Sequence, residues 1–143
     1  HIVGIDVAAE MAMQPAKDWL LKARLQYTYQ DARDVTSEHT SYYKGQIPYI
    51  PWHSGSAVAS ITWRQVDFSY SFIYTGERYS QQENIIYNYV QPWYTHDMSL
   101  GYRGKRWSAR LDVNNIFSQD YDVIVNYPMP KRNYMLTLEW RMF

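Results

Sequence analysis

The sequence has no cysteine, no long apolar run and no excess of either charge sign. Its 143 residues carry 14 Lys and Arg against 14 Asp and Glu, a formal net charge of +0. This balance gives no electrostatic support for nucleic-acid binding, so no nucleic-acid partner is expected. No stretch reaches the roughly 18 apolar residues of a membrane-spanning helix, which excludes such a helix on length. The absence of cysteine is compatible with any compartment.

Motifs of enzyme chemistry are also missing. The four histidines (His1, His39, His53 and His96) are scattered without a His-x-x-x-His pair, and with no cysteine a transition-metal site has little support. No Gly-x-Ser-x-Gly elbow occurs, and the segment nearest to one, residues 53–56, is interpreted as the start of a strand. The sequence therefore predicts no catalytic residue, no metal site and no cofactor.

Aromatic residues are abundant and biased in type. They make up 17% of the chain, with 15 Tyr and 6 Trp but only 4 Phe. Rings with an apolar body and a polar tip are favoured where hydrocarbon meets water. Tyrosine-rich strands also occur in soluble β-proteins, so composition alone leaves both classes open.

Apolar and polar side chains alternate with period 2 in seven segments, the pattern of β-strands with two different faces. The segments cover residues 3–13, 19–30, 56–64, 67–75, 97–103, 106–114 and 133–142. The more apolar face carries no Asp, Glu, Lys or Arg in these windows. An unpaired charge at mid-membrane costs about 2–4 kcal/mol, so this face is predicted to contact lipid.

The opposite face carries charges that are expected to pair on the inner wall of a barrel, because charges removed from bulk water need partners. They are Arg24, Arg64, Arg103, Arg110, Arg141, Asp6, Glu10, Asp97, Asp112 and Glu139.

The connections between the segments alternate strictly between short and long. Residues 14–17, 64–66 and 103–105 form short connections, whereas residues 32–53, 77–93 and 117–132 form long ones. Up-and-down barrels of the outer membrane have tight periplasmic turns and long extracellular loops. The sequence therefore predicts an all-β, antiparallel up-and-down transmembrane barrel segment of about seven strands.

Aromatic rings cluster near both ends of the predicted strands, as membrane-interface girdles do. Those beside the short turns or the carboxyl terminus are Trp19, Trp63, Tyr102, Trp107 and Trp140, and those towards the long loops are Tyr29, Tyr74 and Tyr134. The ten steps from Trp19 to Tyr29 span roughly 33 Å, or about 23 Å along the membrane normal at a tilt of about 45°. This nearly matches an apolar band of about 25 Å.

The long loops carry further aromatic residues, which are the candidate ligand contacts. They are Tyr42, Tyr43, Tyr49, Trp52, Tyr79, Tyr87, Tyr89, Trp93 and Tyr127. Such surfaces suit planar or macrocyclic ligands such as cobalamin, haem or a ferric catecholate. Packing of the loops against one another, or membership of the upper girdle, is the alternative explanation.

Several motifs resemble those of the TonB-dependent outer-membrane receptors. Residues 111–117, followed by Asp120 and Tyr121, are similar to the "NLF…Y" motif of the penultimate strand, with Ile116 in place of Leu. Residues 127–134 resemble the "P.PGR.Y" lead into the final strand, with Lys131 in place of Gly. Residues 47–53 and 74–79 also resemble receptor segments, and the terminal Phe143 resembles the assembly signal of this family.

This resemblance implies a receptor in the bacterial outer membrane that imports a scarce large ligand: cobalamin, a ferric siderophore or haem. It implies a 22-stranded barrel with a plugged lumen, of which residues 1–143 would supply the last seven strands. The plug, the earlier strands and the native amino terminus are expected to lie outside this sequence. The implied partners are outer-membrane lipid, the remaining strands and plug, a TonB-type energy-coupling protein and possibly a surface lipoprotein.

Three alternatives remain open. A small self-contained barrel with a passive or structural role would need an even number of strands, whereas the sequence predicts seven. An outer-membrane hydrolase would need a serine nucleophile on the inner wall. A soluble sandwich would bury the apolar faces in a dry core instead of in lipid.

Overall fold

The computed structural model describes residues 1–141, which form eleven strands. They are β1 (Ile2–Met13), β2 (Trp19–Ala32), β3 (His53–Trp63), β4 (Val66–Thr75), β5 (Arg78–Tyr79), β6 (Tyr89–Val90), β7 (Trp93–Arg103), β8 (Trp107–Asn114), β9 (Asp122–Ile124), β10 (Tyr127–Pro128) and β11 (Asn133–Trp140). Seven of them build one antiparallel sheet in the order β1-β2-β3-β4-β7-β8-β11. No helix within residues 1–141 has the length and apolar character needed to cross a membrane.

The seven predicted segments correspond to the seven strands of the sheet, which confirms the predicted fold class. The largest differences are at two strand starts, since β3 begins at His53 and β7 at Trp93. Alternation is weak at both starts because aromatic or polar residues occupy both faces there. Phe143, the proposed assembly signal, lies outside the described residues.

The register aligns apolar side chains from all seven strands into rows that cross the sheet. One such row is formed by Met13, Leu21, Ile61, Phe68, Leu100, Leu111 and Leu136. A shift by one residue in any strand would move its apolar set to the other face, so alternation fixes this register.

The apolar face stays uncovered. Leu25 is 57% exposed and Leu136 is 64% exposed, and among the hydrophobic side chains of residues 1–141 only Ala32 and Val90 are buried. The core of a soluble sandwich requires a second sheet packed on this face. No second large sheet is present in the described part of the chain, so residues 1–141 do not form a sandwich. The sheet is a segment of a barrel wall.

The short turns hold the strands in register at one end of the sheet. Arg64 adopts a left-handed backbone with φ of 52° between β3 and β4, as tight hairpins require. Its amide donates to the carbonyl of Asp18 at 3.0 Å, and its Nε lies 3.1 Å from the Asp18 carboxylate. The turn between β1 and β2 is thereby joined to the turn between β3 and β4.

The opposite face of the sheet is polar. Glu10 and Arg24 face each other across β1 and β2 and form an ion pair at 3.2 Å. Arg110 and Asp112 pair at 2.8 Å along β8. These two pairs agree with the expectation for the inner wall, whereas Arg64 pairs with Asp18 in a turn instead.

Other predicted inner-wall charges bind neutral partners. Asp6 accepts a hydrogen bond from Thr28 Oγ1 at 2.6 Å, and Glu139 accepts one from Ser108 Oγ at 3.2 Å. Asp97 accepts one from the backbone amide of Asn115 at 2.7 Å. For Arg103 and Arg141, the described residues provide no ion pair.

With the exception of Tyr134, the predicted girdle residues lie near the two ends of the strands. At the short-turn end, Trp19 stacks on Trp63 with ring centroids 5.8 Å apart, and Tyr102 lies 4.9 Å from Trp107. At the long-loop end, the register places Tyr27, Gly55, Tyr74 and Tyr94 in one row. Tyr134 of β11 lies in the same row as Val113, Met98 and Tyr70. This row crosses β4 nearer its middle than its end.

Candidate functional site

The three long connections meet at one end of the sheet. They are called loop A (residues 33–52), loop B (residues 76–92) and loop C (residues 115–132). Loop B contains the two-stranded ribbon β5-β6 and a short 3₁₀ helix, Ile86–Asn88, and loop C contains the ribbon β9-β10. Sequence alternation did not reveal these short elements because two or three residues are too few to show a period.

Loops A and B are joined by polar side chains. Asn84 of loop B accepts a hydrogen bond from the amide of Gln46 at 2.5 Å and donates from Nδ2 to the Gln46 carbonyl at 3.1 Å. The backbone amide of Tyr49 donates to the carbonyl of Tyr79 at 2.8 Å. Tyr49 adopts a left-handed backbone with φ of 61°, which is uncommon for a bulky residue. Loop A is therefore held against loop B at two places.

Loops B and C are joined by Arg78, which is only 2% exposed. Its Nη2 donates to the backbone carbonyls of Asp122 at 2.8 Å and Val123 at 3.2 Å, and its Nη1 donates to that of Gln91 at 3.4 Å. The partner of Arg78 in the β5-β6 ribbon is Val90, which is also buried. One face of this ribbon is thus packed on loop C.

The base of loop C is fastened by Asn115, within the segment that resembles the "NLF" motif. Its backbone is left-handed with φ of 49°, a conformation that Asn tolerates better than most residues. Its Nδ2 donates to the carbonyls of Gln119 at 2.9 Å and Pro130 at 3.2 Å, and its Oδ1 accepts from the Gln119 amide at 2.9 Å. One buried side chain therefore joins both ends of loop C.

A cavity of about 410 Å³ lies where the three loops meet. It is lined by Tyr49 from loop A, Arg78 from loop B, Val123 and Ile124 from loop C, and Thr75 and Trp93 from the ends of β4 and β7. Thr75 and Trp93 face each other across these two strands on the polar face. The cavity consequently lies on the inner side of the barrel wall, at its mouth.

Two residues of the cavity wall, Arg78 and Trp93, carry buried nitrogen donors. The Arg78 guanidinium has no carboxylate partner among the described residues, and burial lowers its pKa, while the nearby Tyr49 acts in the opposite direction. Trp93 Nε1 is buried and has no hydrogen-bond acceptor within residues 1–141. The Trp93 ring stacks on Tyr121 at 4.4 Å, which fixes its orientation.

The predicted ligand contacts fall into separate groups. Tyr49 and Trp93 line the cavity, whereas Tyr79 and Tyr89 pack edge to face at 5.9 Å on the other face of the β5-β6 ribbon. Tyr89 donates from its hydroxyl to Glu77 at 3.1 Å, and its pKa is raised first by burial and then by this hydrogen bond.

The remaining predicted contacts do not line the cavity. Trp52 packs against Tyr29 at 6.4 Å. Tyr42 is half-buried, and Tyr43 donates to Glu38 at 3.0 Å. Tyr87 and Tyr127 project from loops B and C, with 91% and 70% of their surfaces exposed. They could contact a ligand only from the outer surface of the loop cluster.

Sequence reasoning missed four of the six cavity residues, which are Thr75, Arg78, Val123 and Ile124. Arg78 lies between Glu77 and Tyr79 in a polar loop, where a charged residue is usually solvated. Its burial depends on the two-residue pairing of β5 with β6 and on contact with a loop more than forty residues later. No local pattern could have revealed it.

Two histidines lie on the apolar face near the long loops. Nδ1 of His53 and the Tyr27 hydroxyl form a hydrogen bond of 2.7 Å. Nδ1 of His96 and the Tyr70 hydroxyl form a second hydrogen bond of this kind. His96 also packs edge to face on Phe117 at 4.9 Å. Within residues 1–141, no group of three or more His, Cys, Asp or Glu side chains could hold a metal ion.

Comparison with known proteins agrees with this architecture. Three similar solved structures are the siderophore receptor PiuA from Acinetobacter baumannii (16% identity, TM-score 0.72), the ferric-catecholate import receptor Fiu from E. coli K12 (21%, 0.64) and the ferric yersiniabactin uptake receptor FyuA from Yersinia pestis (15%, 0.66). The alignments cover 96%, 92% and 95% of this chain but only 21%, 20% and 21% of those proteins. At these identities, the likeness establishes the fold alone.

No curated protein matches the chain. A family model described as "TonB dependent receptor-like, beta-barrel" matches residues 1–116, which include six of the seven sheet strands and the start of loop C. The chain belongs to the TonB-dependent receptor-like β-barrel family.

Proposed function

We propose that the chain forms part of a TonB-dependent outer-membrane receptor that imports a scarce large ligand, and that this ligand is a ferric siderophore. The observation that carries the proposal is the meeting of all three long loops around one cavity on the inner side of the wall. A passive barrel has no need to join its loops in this way. The proposed role is binding and import, without covalent chemistry.

The wall supports placement in the bacterial outer membrane. Apolar rows cross all seven strands, and the side chains on the face that carries them are exposed or half-buried. Burial of such a face in lipid is favourable by about 25 cal/mol for each Å² removed from water. Trp19, Trp63, Tyr102, Trp107, Trp140, Tyr29, Tyr74 and Tyr134 would then contact the two interfaces of the membrane.

The loops support recognition of a large ligand with planar groups. We infer contacts from Tyr49 and Trp93 in the cavity and from exposed Tyr87 and Tyr127 on the loop surface. Tyr42, Tyr43, Trp52, Tyr79 and Tyr89 would form the surrounding aromatic surface. The three similar receptors are named for siderophores or their ferric complexes, which favours a ferric siderophore over cobalamin or haem.

The partners we propose follow from family membership. The remaining strands and a plug domain would complete the barrel, and a TonB-type protein would supply energy through the amino-terminal part. A surface lipoprotein is a further proposed partner.

Uptake by the complete receptor in whole cells tests this function. Ferric tris-catecholate labelled with radioactive iron should accumulate only while the proton gradient is intact. Accumulation that persists after a protonophore would favour a passive barrel, and absence of binding to any ferric chelate would reject the siderophore assignment.

Replacement of Tyr87 and Tyr89 together by alanine should weaken binding of the ferric complex. Tyr87 offers an exposed ring, whereas loss of Tyr89 removes its packing on Tyr79. Ile86→Ala is the matched control, because Ile86 is 79% exposed on the same loop and carries no ring. Equal affinity in the double variant and this control would show that these tyrosines do not contact the ligand.

A further inference from the structure

We propose that the short-turn end of the wall binds one anionic phospholipid, with its phosphate at Lys105 and Arg106 and an acyl chain beside Trp107 and Trp140. This inference rests on the membrane placement in the proposed function, to which it adds a lipid partner of stated chemistry. Two neighbouring features carry it. The first is an apolar groove between β8 and β11, and the second is a basic rim, formed by Lys17, Arg64, Arg103, Lys105, Arg106 and Arg141.

Charge is distributed unevenly between the two ends of the wall. The basic rim contains six of the 14 Lys and Arg residues of the chain. The connections at this end, residues 14–18, 64–65 and 103–106, contain one acidic residue, Asp18, and it is paired with Arg64. Since the whole chain has no net charge, the remainder of the chain is net acidic. Positive charge concentrated at one edge of a membrane-spanning wall favours anionic headgroups over zwitterionic ones.

Backbone hydrogen bonds join the segments of the basic rim. The amide of Arg103 donates to the carbonyl of Gln65 at 2.8 Å, and the amide of Arg141 donates to the carbonyl of Arg106 at 2.8 Å. The second bond holds the tip of the β7–β8 hairpin against the end of β11. Together with the bond between the first two turns, these contacts make the basic rim a continuous edge instead of a set of separate turns.

Lys105 and Arg106 are the rim residues available to a headgroup. They occupy the tip of the hairpin, are exposed, and form no ion pair with a described residue. Three other members of the basic rim line a cavity on the inner face instead: Arg64, Arg103 and Arg141. The guanidinium of Arg64 also lies 5.5 Å from the centroid of the Trp63 ring, on the lipid face. A long basic side chain at this height can therefore extend along apolar surface and keep its charge among headgroups.

An apolar groove of about 270 Å³ lies beside the hairpin tip. Its lining residues are Trp107, Ser108, Leu138, Glu139 and Trp140. Trp107 and Trp140 are opposite each other in β8 and β11, and both belong to the apolar face. Arg106 precedes Trp107 and is bonded to Arg141, which follows Trp140, so the groove begins at the cationic tip. An anionic phospholipid joins a phosphate to acyl chains, which matches this sequence of charge and apolar surface.

Photolabelling of the complete receptor in phosphatidylcholine vesicles tests the site. The vesicles include a small fraction of phosphatidylglycerol with a diazirine in its acyl chain, and labelled peptides are identified by mass spectrometry. The peptides that contain Trp107 and Trp140 should be labelled at a lower lipid fraction by this probe than by phosphatidylcholine with the same diazirine. Equal labelling by the two probes would show ordinary solvating lipid only, which would overturn the proposal.

Removal of the two charges at the hairpin tip should weaken the labelling. In Lys105→Gln/Arg106→Gln, the phosphatidylglycerol fraction for half-maximal labelling should rise about twentyfold, or about fivefold for each side chain. Lys131→Gln/Arg132→Gln is the matched control, because it removes the same two charges from loop C at the opposite end of the wall, and it should leave this fraction unchanged. An equal rise in both variants, or no rise in the first, would overturn the assignment of the phosphate.

The contribution of the groove is measured with Trp140→Ala. Trp140 is 71% exposed, so its ring can be removed with little loss of packing within the wall. Labelling of the Trp107 peptide should decrease, whereas Tyr134→Ala, on the same face of β11 but nearer the long loops, should leave it unchanged. Unchanged labelling in Trp140→Ala would contradict the assignment of the acyl chain.

A soluble competitor distinguishes a lipid from free phosphate. Glycerophosphoglycerol has the same headgroup without acyl chains, and at millimolar concentration it should not displace the probe. Displacement would show a simple phosphate site, which overturns the lipid assignment. An acidic segment of the complete receptor that covered the basic rim would prevent labelling of the wild type, with the same consequence.

These results also separate this inference from the proposed function. Energy-dependent uptake of the ferric complex without selective phosphatidylglycerol labelling retains the proposed function and rejects the lipid site. Selective labelling without uptake of any ferric chelate retains the lipid site and rejects the siderophore function. A complete receptor that stays dispersed without detergent rejects the membrane placement, and both proposals with it.

Discussion

Replacing Asn115 by alanine should release loop C from the barrel wall while β8 stays paired with its neighbours. The Asn115 side chain is 4% exposed and makes three hydrogen bonds, two to Gln119 and one to Pro130. Alanine removes all three and leaves their backbone partners unsatisfied. The backbone hydrogen bond from Asn115 to Asp97 would remain, because it does not involve the Asn115 side chain.

The expected loss follows from these contacts. Three hydrogen bonds at about 0.5–1.5 kcal/mol each amount to about 1.5–4.5 kcal/mol. The left-handed backbone with φ of 49° adds about 1 kcal/mol, because alanine is less tolerant of this conformation than asparagine. Amide exchange through local opening of loop C should therefore accelerate by at least about tenfold.

Hydrogen exchange of residues 116–132 in the complete receptor measures this opening. Asn126→Ala is the matched control, since Asn126 also has a left-handed backbone, with φ of 68°, but its exposed side chain makes no hydrogen bond to described residues. It bears the same backbone cost without losing a side-chain network. Equal exchange rates in the two variants would refute the view that the Asn115 side chain fastens the loop.

Two further predictions concern the wall and loop B. Leu25→Arg should lower the free energy of unfolding by about 2–4 kcal/mol in a denaturant titration, because Leu25 is on the lipid face. Gln26→Arg, on the polar face, should lower it much less. Equal decreases in the two variants would contradict the assignment of faces. Burial and the hydrogen bond to Glu77 raise the pKa of Tyr89 above its ordinary value. The neutral form of Tyr89 therefore stabilises the fold fully below the unfolded pKa of about 10. This contribution is lost as the pH rises through the pKa of the folded protein. A phenolate difference spectrum between wild type and Tyr89→Phe should titrate above pH 10, and Glu77→Gln should lower the midpoint only partly, since burial is the larger cause; a wild-type midpoint at or below 10 would contradict this.

The wall could be predicted from the sequence because each strand carries its own two-residue period. Alternation specifies both the strand and the face that meets lipid, and pairing of consecutive strands then follows from the short turns. The pair of Glu10 with Arg24 was predictable for the same reason, since both belong to polar faces of neighbouring strands. The partner of Arg64 was not predictable in this way, because Arg64 lies in a turn with a left-handed backbone and pairs with Asp18 of the neighbouring turn.

The loop cluster could be predicted only in part. Aromatic composition identified Tyr49 and Trp93, but the contacts that bring them together depend on polar residues far apart in sequence. Asn84 binds Gln46, and Arg78 binds the backbone of residues 122 and 123. The segment containing Asn115 resembles a family motif, but only the folded structure brings its side chain to Gln119 and Pro130 and so fastens loop C.

The position of the cavity is a consequence of the register of the wall. Trp93 belongs to the inner face because it pairs with Thr75, and that pairing continues the register in which Phe68 meets Leu100 near the other end of the same two strands. A slip by one residue between β4 and β7 would turn Trp93 towards lipid and remove it from the cavity wall. The register that aligns the apolar rows therefore also places Thr75 and Trp93 in the cavity wall, so a register change in the wall would alter the cavity without any substitution in the loops.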